Sequence, residues 1–411
     1  MRFAFPPRLV QSRHVSSSIT INAVDRRISL PPARLRVPLM KSPSYFGHAT
    51  QRVNRPYNED RYSAAVIDVD NHKLFNFNIY DGHGGSQCSS YLANNLSKSI
   101  EQFDYDQCDE IVSQYGVKVG GYWRRWARSK DDHYAAMNKN TLSLTNVPVE
   151  PKLKLTVPLS FLKTDFDFMN SEDNRSGSTC TSTFINTLCS EEVDEDYYFN
   201  RGTVNLLTVA HVGDTKAILV DNSGLAHALT IPHHPSNPLE AARLRKYATN
   251  FMTDSFGEER FISLANTRAF GDINFKQQGV SAEPDVSQYI IGDKATISKK
   301  LSEEEIGKYT VAGTGGDESF LILCSDGVTG ILTDQEIADI IMTNYNNKGI
   351  AGTPQLGAEE VLKFVEYVGG DDNATVLVVR LNGWGKWPIL DRTGELRQSR
   401  LDDYNPRDRR G

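Results

Sequence analysis

The sequence of 411 residues predicts an α+β fold in which a two-layer sheet core is flanked by helices. Strand-like apolar runs outnumber helical ones. The segments with helical spacing (86–103, 236–246, 334–344 and 356–368) interrupt the strands instead of alternating with them. The regular strand-helix-strand rhythm of a doubly wound parallel sheet is absent.

In chain order, residues 1–36 hold seven arginines, no lysine and one acid, Asp25, among several serines. An Arg-rich, Ser-rich, acid-poor start is the composition of a mitochondrial presequence, with Arg8–Ser18 as its helix; a basic tail is the alternative. Residues 1–40 are therefore expected to be a presequence and linker, and a matrix address is expected over the intermembrane space. Tyr45–Gln51 and Tyr62–Val69 read as strands around the polar Arg55-Pro56-Tyr57-Asn58-Glu59-Asp60. In Lys73–Tyr80, Phe75, Phe77 and Ile79 alternate with Asn76 and Asn78, the pattern of a half-buried strand. It ends in Asp81-Gly82-His83-Gly84-Gly85, and a helix follows over Ser86–Phe103.

From about 104 to 170 the pattern loosens, and the segment reads as an insertion. Its centre, Gly120-Gly121-Tyr122-Trp123-Arg124-Arg125-Trp126, could stack on RNA or hold a phosphorylated partner, or its rings could pack on the domain. Strands return at Cys180–Leu188, Val204–His211 and Lys216–Val220, followed by a helix over Ser236–Lys246. Glu318–Cys324 is a nearly continuous apolar run ending in Ser325-Asp326-Gly327. Thr333 with Glu336 makes a capping box, Thr353-Pro354 opens the last helix of the core, and Asp371-Asp372-Asn373 precedes the strand Thr375–Leu381. Residues 383–411 are polar, without apolar period, and read as a tail.

The net charge of −7 gives no support for nucleic acid as a partner, and no apolar run is long enough for a transmembrane helix. The five cysteines are scattered, with no Cys-x-x-Cys pair, so neither a disulfide framework nor a zinc site is expected. None has arginine six positions later, which excludes a cysteine phosphatase. Asp68-Val69-Asp70 hints at an aspartyl-phosphate enzyme, but Asn71-His72 follow where Thr or Val is needed.

Four acids stand at strand borders: Asp60 before one, Asp81 and Asp326 after two others, and Asp372 before another. In antiparallel sheets these borders share a rim, so the carboxylates can converge. Such a cluster repels itself unless hard divalent cations hold it, and oxygen-only donors favour Mg²⁺ or Mn²⁺ over zinc. Two such ions can share a water, lower its pKa and aim it at phosphorus.

Eight short stretches occur in a fixed order: Arg55-Pro56-Tyr57-Asn58-Glu59-Asp60, Tyr80-Asp81-Gly82-His83-Gly84-Gly85, Gly177-Ser178-Thr179, Val212-Gly213-Asp214-Thr215, Arg268-Ala269-Phe270-Gly271-Asp272, Glu283-Pro284-Asp285-Val286, Ser325-Asp326-Gly327 and Asp372-Asn373. Together they resemble the metal-dependent type 2C protein Ser/Thr phosphatases (the PPM family) over roughly residues 45–382. The resemblance implies a central antiparallel β-sandwich flanked by paired helices, in four layers α-β-β-α, with a catalytic domain over 41–382. It implies that Asp81 bridges two ions and that the Gly82 carbonyl binds one. Asp326 and Asp372 would complete one shell, with Glu59 and Asp60 acting largely through water. Arg55 would be the ligand of substrate phosphate, and His83 the general acid for the departing serine or threonine alkoxide. Water would attack directly, without a phosphoenzyme.

Two departures stand out. Some family members bind a third ion through the Asp of Val-Gly-Asp, here Asp214, and an Asp four residues past that of Ser-Asp-Gly; this chain has Gly330 there, so a third ion is expected to be held differently or more weakly. The usual Asp-His-x-Pro appears as Pro232-His233-His234-Pro235, a change expected to alter the substrate side of the site and not the metal centre. Mitochondrial family members act on phospho-pyruvate dehydrogenase, which makes that complex the expected substrate and partner of a monomeric catalytic chain. A catalytically inactive scaffold would have lost metal aspartates or the arginine; all are present.

Overall fold

Runs such as Phe320–Cys324 have no polar face, so they can be buried only between two other layers. The computed structural model of the chain places them there, and it describes residues 18–23, 33–119, 142–149, 153–191, 197–245, 251–253, 259–261 and 264–403. Ten strands form two antiparallel sheets. They are β1 (Phe46–Gln51), β2 (Arg61–Val69), β3 (His72–Tyr80), β4 (Cys180–Ser190), β5 (Thr203–Val212), β6 (Lys216–Val220), β7 (Ala226–Ala228), β8 (Asp285–Gly292), β9 (Phe320–Cys324) and β10 (Ala374–Arg380). One sheet runs β7-β6-β9-β10-β1 and the other β8-β5-β4-β3-β2.

Side-chain alternation sorts each strand between two cores. Leu377 and Val379 of β10 meet Phe77 and Val209 between the sheets, whereas Val376 and Val378 face outward. That outer face is covered by α3 (Asp334–Lys348) and α4 (Pro354–Tyr367), through Ile337, Ile341, Val361 and Val365. On the far side α1 (Gln87–Glu101) and α2 (Leu153–Met169) cover Tyr80, Phe184 and Val212 with Leu92, Leu96 and Phe161. The four layers α-β-β-α follow.

Several expectations change here. The half-buried strand around Asn76 and Asn78 is buried on both faces, because those amides bond one another and reach Ser63, Ser97 and Ser182 under α1. The end of the supposed insertion is a core helix. Most of α2 is buried, since it packs on the sheet, on α1 and on the helix Cys108–Val119, and with Thr156, Ser160, Thr164 and Asp165 buried beside the apolar residues it leaves little period to read. Strand β8 was represented in the sequence only by Glu283-Pro284-Asp285-Val286.

The supposed C-terminal tail contributes Trp384 and Trp387 to the core and continues as a surface helix to Asp403. Trp384 and Trp387 pack edge-on against Phe320 and Tyr345, and the helix Gly394–Asp403 sends Arg397 to Asp391 and Arg400 to Glu336. Two tryptophans in thirty residues carry no periodicity, yet they close the end of a layer. Near the N-terminus, Ser18–Ala23 pairs with Ala33–Pro38, and Leu39 is already buried between the sheets. The helix expected at Arg8–Ser18 and the Gly120–Trp126 cluster lie outside the described residues, Ser18 apart.

Candidate active site

All the strand borders singled out above meet at one end of the sandwich. Arg61 pairs with Tyr80, which brings Asp60 and Asp81 together on one sheet; Cys324 pairs with Val376, which does the same for Asp326 and Asp372 on the other. A cavity of about 790 Å³ opens there, lined by Arg55, Glu59, Asp81, Gly82, His83, Asp214, Gly330, Asp326 and Asp372. Asp81, Asp214 and Asp326 each bring a ligand oxygen to within 4.8 Å of the others.

Asp60 alone among the expected ligands does not line the cavity. It lies beneath, 2% exposed, accepting from Thr375 Oγ1 at 2.7 Å and Ser325 Oγ at 2.9 Å, while its Oδ1 finds no hydrogen-bond partner among the described residues. Burial pushes its carboxyl up to about 6, although the two hydroxyls hold it down. Burial and the neighbouring acids push Asp326 up to about 7, and burial with Asp326 and Asp60 raises Asp81 well above the carboxylate range. An orphaned buried oxygen among acids that cannot comfortably ionise together fits a divalent cation with hard oxygen ligands.

Glycines allow the close approaches. A Cβ on Gly82 would stand 2.5 Å from the Glu59 carbonyl oxygen and 2.7 Å from Ser89 Oγ. One on Gly327 would stand 2.0 Å from the Asn373 carbonyl oxygen. The stretch Gly82–His83 pairs with Gly177–Ser178, which pairs in turn with Phe270–Gly271. That small sheet places His83 Nε2 at 2.8 Å from Asp272 Oδ2. Burial opposes the charge on the His83 imidazole, but the bond to Asp272 and its charge outweigh burial and raise the ring's proton affinity.

Asp214 rides on a turn held from below. His233 Nδ1 accepts from the Gly213 N–H at 3.0 Å, so its Nε2 carries the proton and donates to Asp285 Oδ2 at 3.0 Å. His234 Nε2 comes 3.5 Å from Asp214 Oδ2. The altered Pro232-His233-His234-Pro235 segment therefore touches the carboxylate cluster itself, contrary to the expectation that it would change only the substrate side. Gly330 leaves a bare wall where a further carboxylate was absent from the sequence.

Sequence reasoning gave no role to Asp272 or His234. Asp272 stood inside a quoted stretch, but its bond to His83 spans 189 residues and has no local signature. Arg268, in the same stretch, turns inward to Glu240 and Asp285 and braces the loop.

The chain matches the family model "Protein phosphatase 2C" over residues 57–297 and 308–374. It is 32% identical over 384 residues to protein phosphatase 2C homolog 4 of Schizosaccharomyces pombe, covering 91% of this chain and 89% of that one. It is 26% identical over 376 residues to protein phosphatase 1K, mitochondrial, of Xenopus laevis, covering 90% and 78%. Among solved structures, a phosphatase from a pathogenic strain of Toxoplasma gondii superposes with a TM-score of 0.54 at 19% identity, covering 82% of this chain and 93% of that one. A C. elegans sex-determining protein gives 0.55 at 18% identity, covering 87% and 66%. With the sandwich, the acidic cavity and the family model in agreement, the chain belongs to the protein phosphatase 2C family of metal-dependent serine/threonine phosphatases.

Proposed function

We propose that this phosphatase works in the mitochondrial matrix on phosphoserine and phosphothreonine of proteins such as the pyruvate dehydrogenase α subunit. Support comes from the Arg-rich, acid-poor start and from a relative whose name places it in mitochondria. The reading of the site rests above all on the convergence of Asp81, Asp214 and Asp326, with the orphaned Asp60 oxygen behind them.

Asp81, Asp326, Asp372 and the Gly82 carbonyl would hold two Mg²⁺ or Mn²⁺ ions, with Glu59 and Asp60 through water and Asp214 toward a third. When bound, the ions supply charge neutralisation and a nucleophile at neutral pH. Arg55, 55% exposed at the mouth, has free donors to fork around two phosphate oxygens and fix the phosphorus. His83 donates Nε2–H to Asp272, which leaves Nδ1 to carry the proton that passes to the serine oxygen as the P–O bond breaks. The Asp272 carboxylate favours the charged ring until that transfer.

Phosphoproteomics of mitochondria lacking the protein tests the substrate. Enrichment of a dehydrogenase α-subunit phosphoserine is the expected result, and an unchanged signal there removes the assignment. Loss of Mn²⁺-dependent phosphopeptide hydrolysis in Asp81→Asn tests the centre.

A further inference from the structure

Behind the His83–Asp272 pair lies a buried polar cluster that the hydrolytic chemistry does not itself require. Asp165 of α2 is fully buried, and each of its bonds bears on the segment 269–282. Its Oδ1 accepts the Gly271 N–H at 2.7 Å, the peptide just before Asp272. Its Oδ2 accepts from Lys276 Nζ at 2.6 Å and from the Tyr115 hydroxyl. Lys276, 1% exposed, also donates to the Ala269 carbonyl at 2.8 Å, and Tyr115 accepts the Ala282 N–H at 3.0 Å.

The clamped segment needs holding. Gly271 and Asp272 both adopt left-handed backbone, with φ of 68° and 49°, and a non-glycine residue takes that conformation only where its surroundings impose it. The same turn must aim the Asp272 carboxylate at His83 across Gly177, where a Cβ would stand 2.2 Å from His83 Nε2. A buried ion pair gives little net stability over an apolar isostere, so stability alone does not account for three polar groups converging on this turn.

We propose that Asp165 is a positioning residue for the general acid: it fixes the Gly271–Asp272 turn, and through Asp272 the orientation of His83. The inference rests on the role of His83 given above.

The test compares two substrates in the full chain with Mn²⁺: a phosphoserine peptide, whose alkoxide needs a proton to leave, and p-nitrophenyl phosphate, whose leaving group does not. Asp165→Leu/Lys276→Met removes the Gly271 acceptor and both buried charges together. The expected result is a loss of about 10- to 100-fold in kcat on the peptide, the scale of a misplaced catalytic group, with less than about 3-fold on the aryl ester. Asp165→Asn/Lys276→Met keeps an oxygen for Gly271 and restores the peptide rate. Should the leucine variant not fold, Asp165→Ser/Lys276→Met, too short to reach Gly271, takes its place. Equal losses on both substrates, or none on the peptide, overturn the proposal. His83→Ala on the same pair separates the two readings: if it shows no preference between leaving groups, the assignment of His83 as acid fails. If it shows that preference and the Asp165 variants do not, only the positioning role fails.

Discussion

Arg55 Nη2 stands 2.7 Å from Asp372 Oδ2, so the guanidinium assigned to substrate phosphate leans on a carboxylate assigned to metal. Both side chains are open to solvent, and the pair adds little to stability. On the proposed roles its consequence is competition: a cation held at Asp372 would release Arg55 for phosphate. Arg55→Ala is expected to raise KM for a phosphopeptide by about 10- to 100-fold, the loss of one or two charge-assisted bonds. Mn²⁺ binding, read by calorimetry, is expected to tighten, because a competing positive charge has gone.

On the proposed metal centre, the carboxylate cluster is expected to stabilise the protein only when cations are present. Without metal, Asp60, Asp81, Asp214 and Asp326 repel one another at the end of the sandwich. EDTA is expected to lower Tm and abolish activity, and Mn²⁺ to restore both. Metal-free Asp81→Asn should melt above metal-free wild type while losing most of the Mn²⁺-induced increment. A variant that melts lower than wild type without metal would contradict this account.

Glu318 gives a pH dependence away from the metal centre. Burial pushes its carboxyl from an ordinary 4.5 up to about 7, against the Gly292 N–H that bonds Oε2, and Oε1 finds no partner among the described residues. Because the folded-state pKa is raised, the unfolded chain releases its proton first. The contribution is fully present below pH 4.5 and is lost as pH climbs toward 7. Glu318→Gln removes that slope. Urea titration at pH 8 should find it more stable than wild type by roughly 3 kcal/mol, and the advantage should vanish near pH 4.5.

Gly327→Ala would drive a methyl group into the Asn373 carbonyl oxygen, 2.0 Å from the ideal Cβ. Each of these residues directly follows a proposed ligand, Asp326 and Asp372, so relief of the clash spreads the pair. Weaker Mn²⁺ binding and a lower Tm are expected together. Unchanged metal affinity would mean that the two ligands move as one.

Trp387 is buried against Phe320 and Tyr345 and donates to Asn346 Oδ1 at 3.1 Å. Trp387→Ala is expected to cost about 3–5 kcal/mol, the range for a buried aromatic, with kcat little changed in the fraction that remains folded. Chemical denaturation would read a loss below about 1 kcal/mol if residues 383–403 were only a loose tail.

What could be read without coordinates was whatever is local. Capping at Thr333 and Thr353, the apolar alternation of β3, and the carboxylates and glycines at strand ends each depend on residues a few positions apart. They were enough for the fold class and the family resemblance, and to name carboxylates that the fold brings to one cavity. Helix α2 and the Trp384–Trp387 end escaped, because buried Thr156, Ser160, Thr164 and Asp165 blur the apolar face of the one and the other buries two rings without any repeat.

Only the tertiary structure decided which groups face one another over long separations. His83 meets Asp272, Asp165 meets Gly271 and Lys276, and His234 approaches Asp214 through bonds made by folding the sheets and α2 together. The chain therefore specified by itself which residues could do the chemistry. The packing of its layers decided how they are aimed, because hydrogen-bond direction is set by the relative position of elements that the sequence keeps far apart.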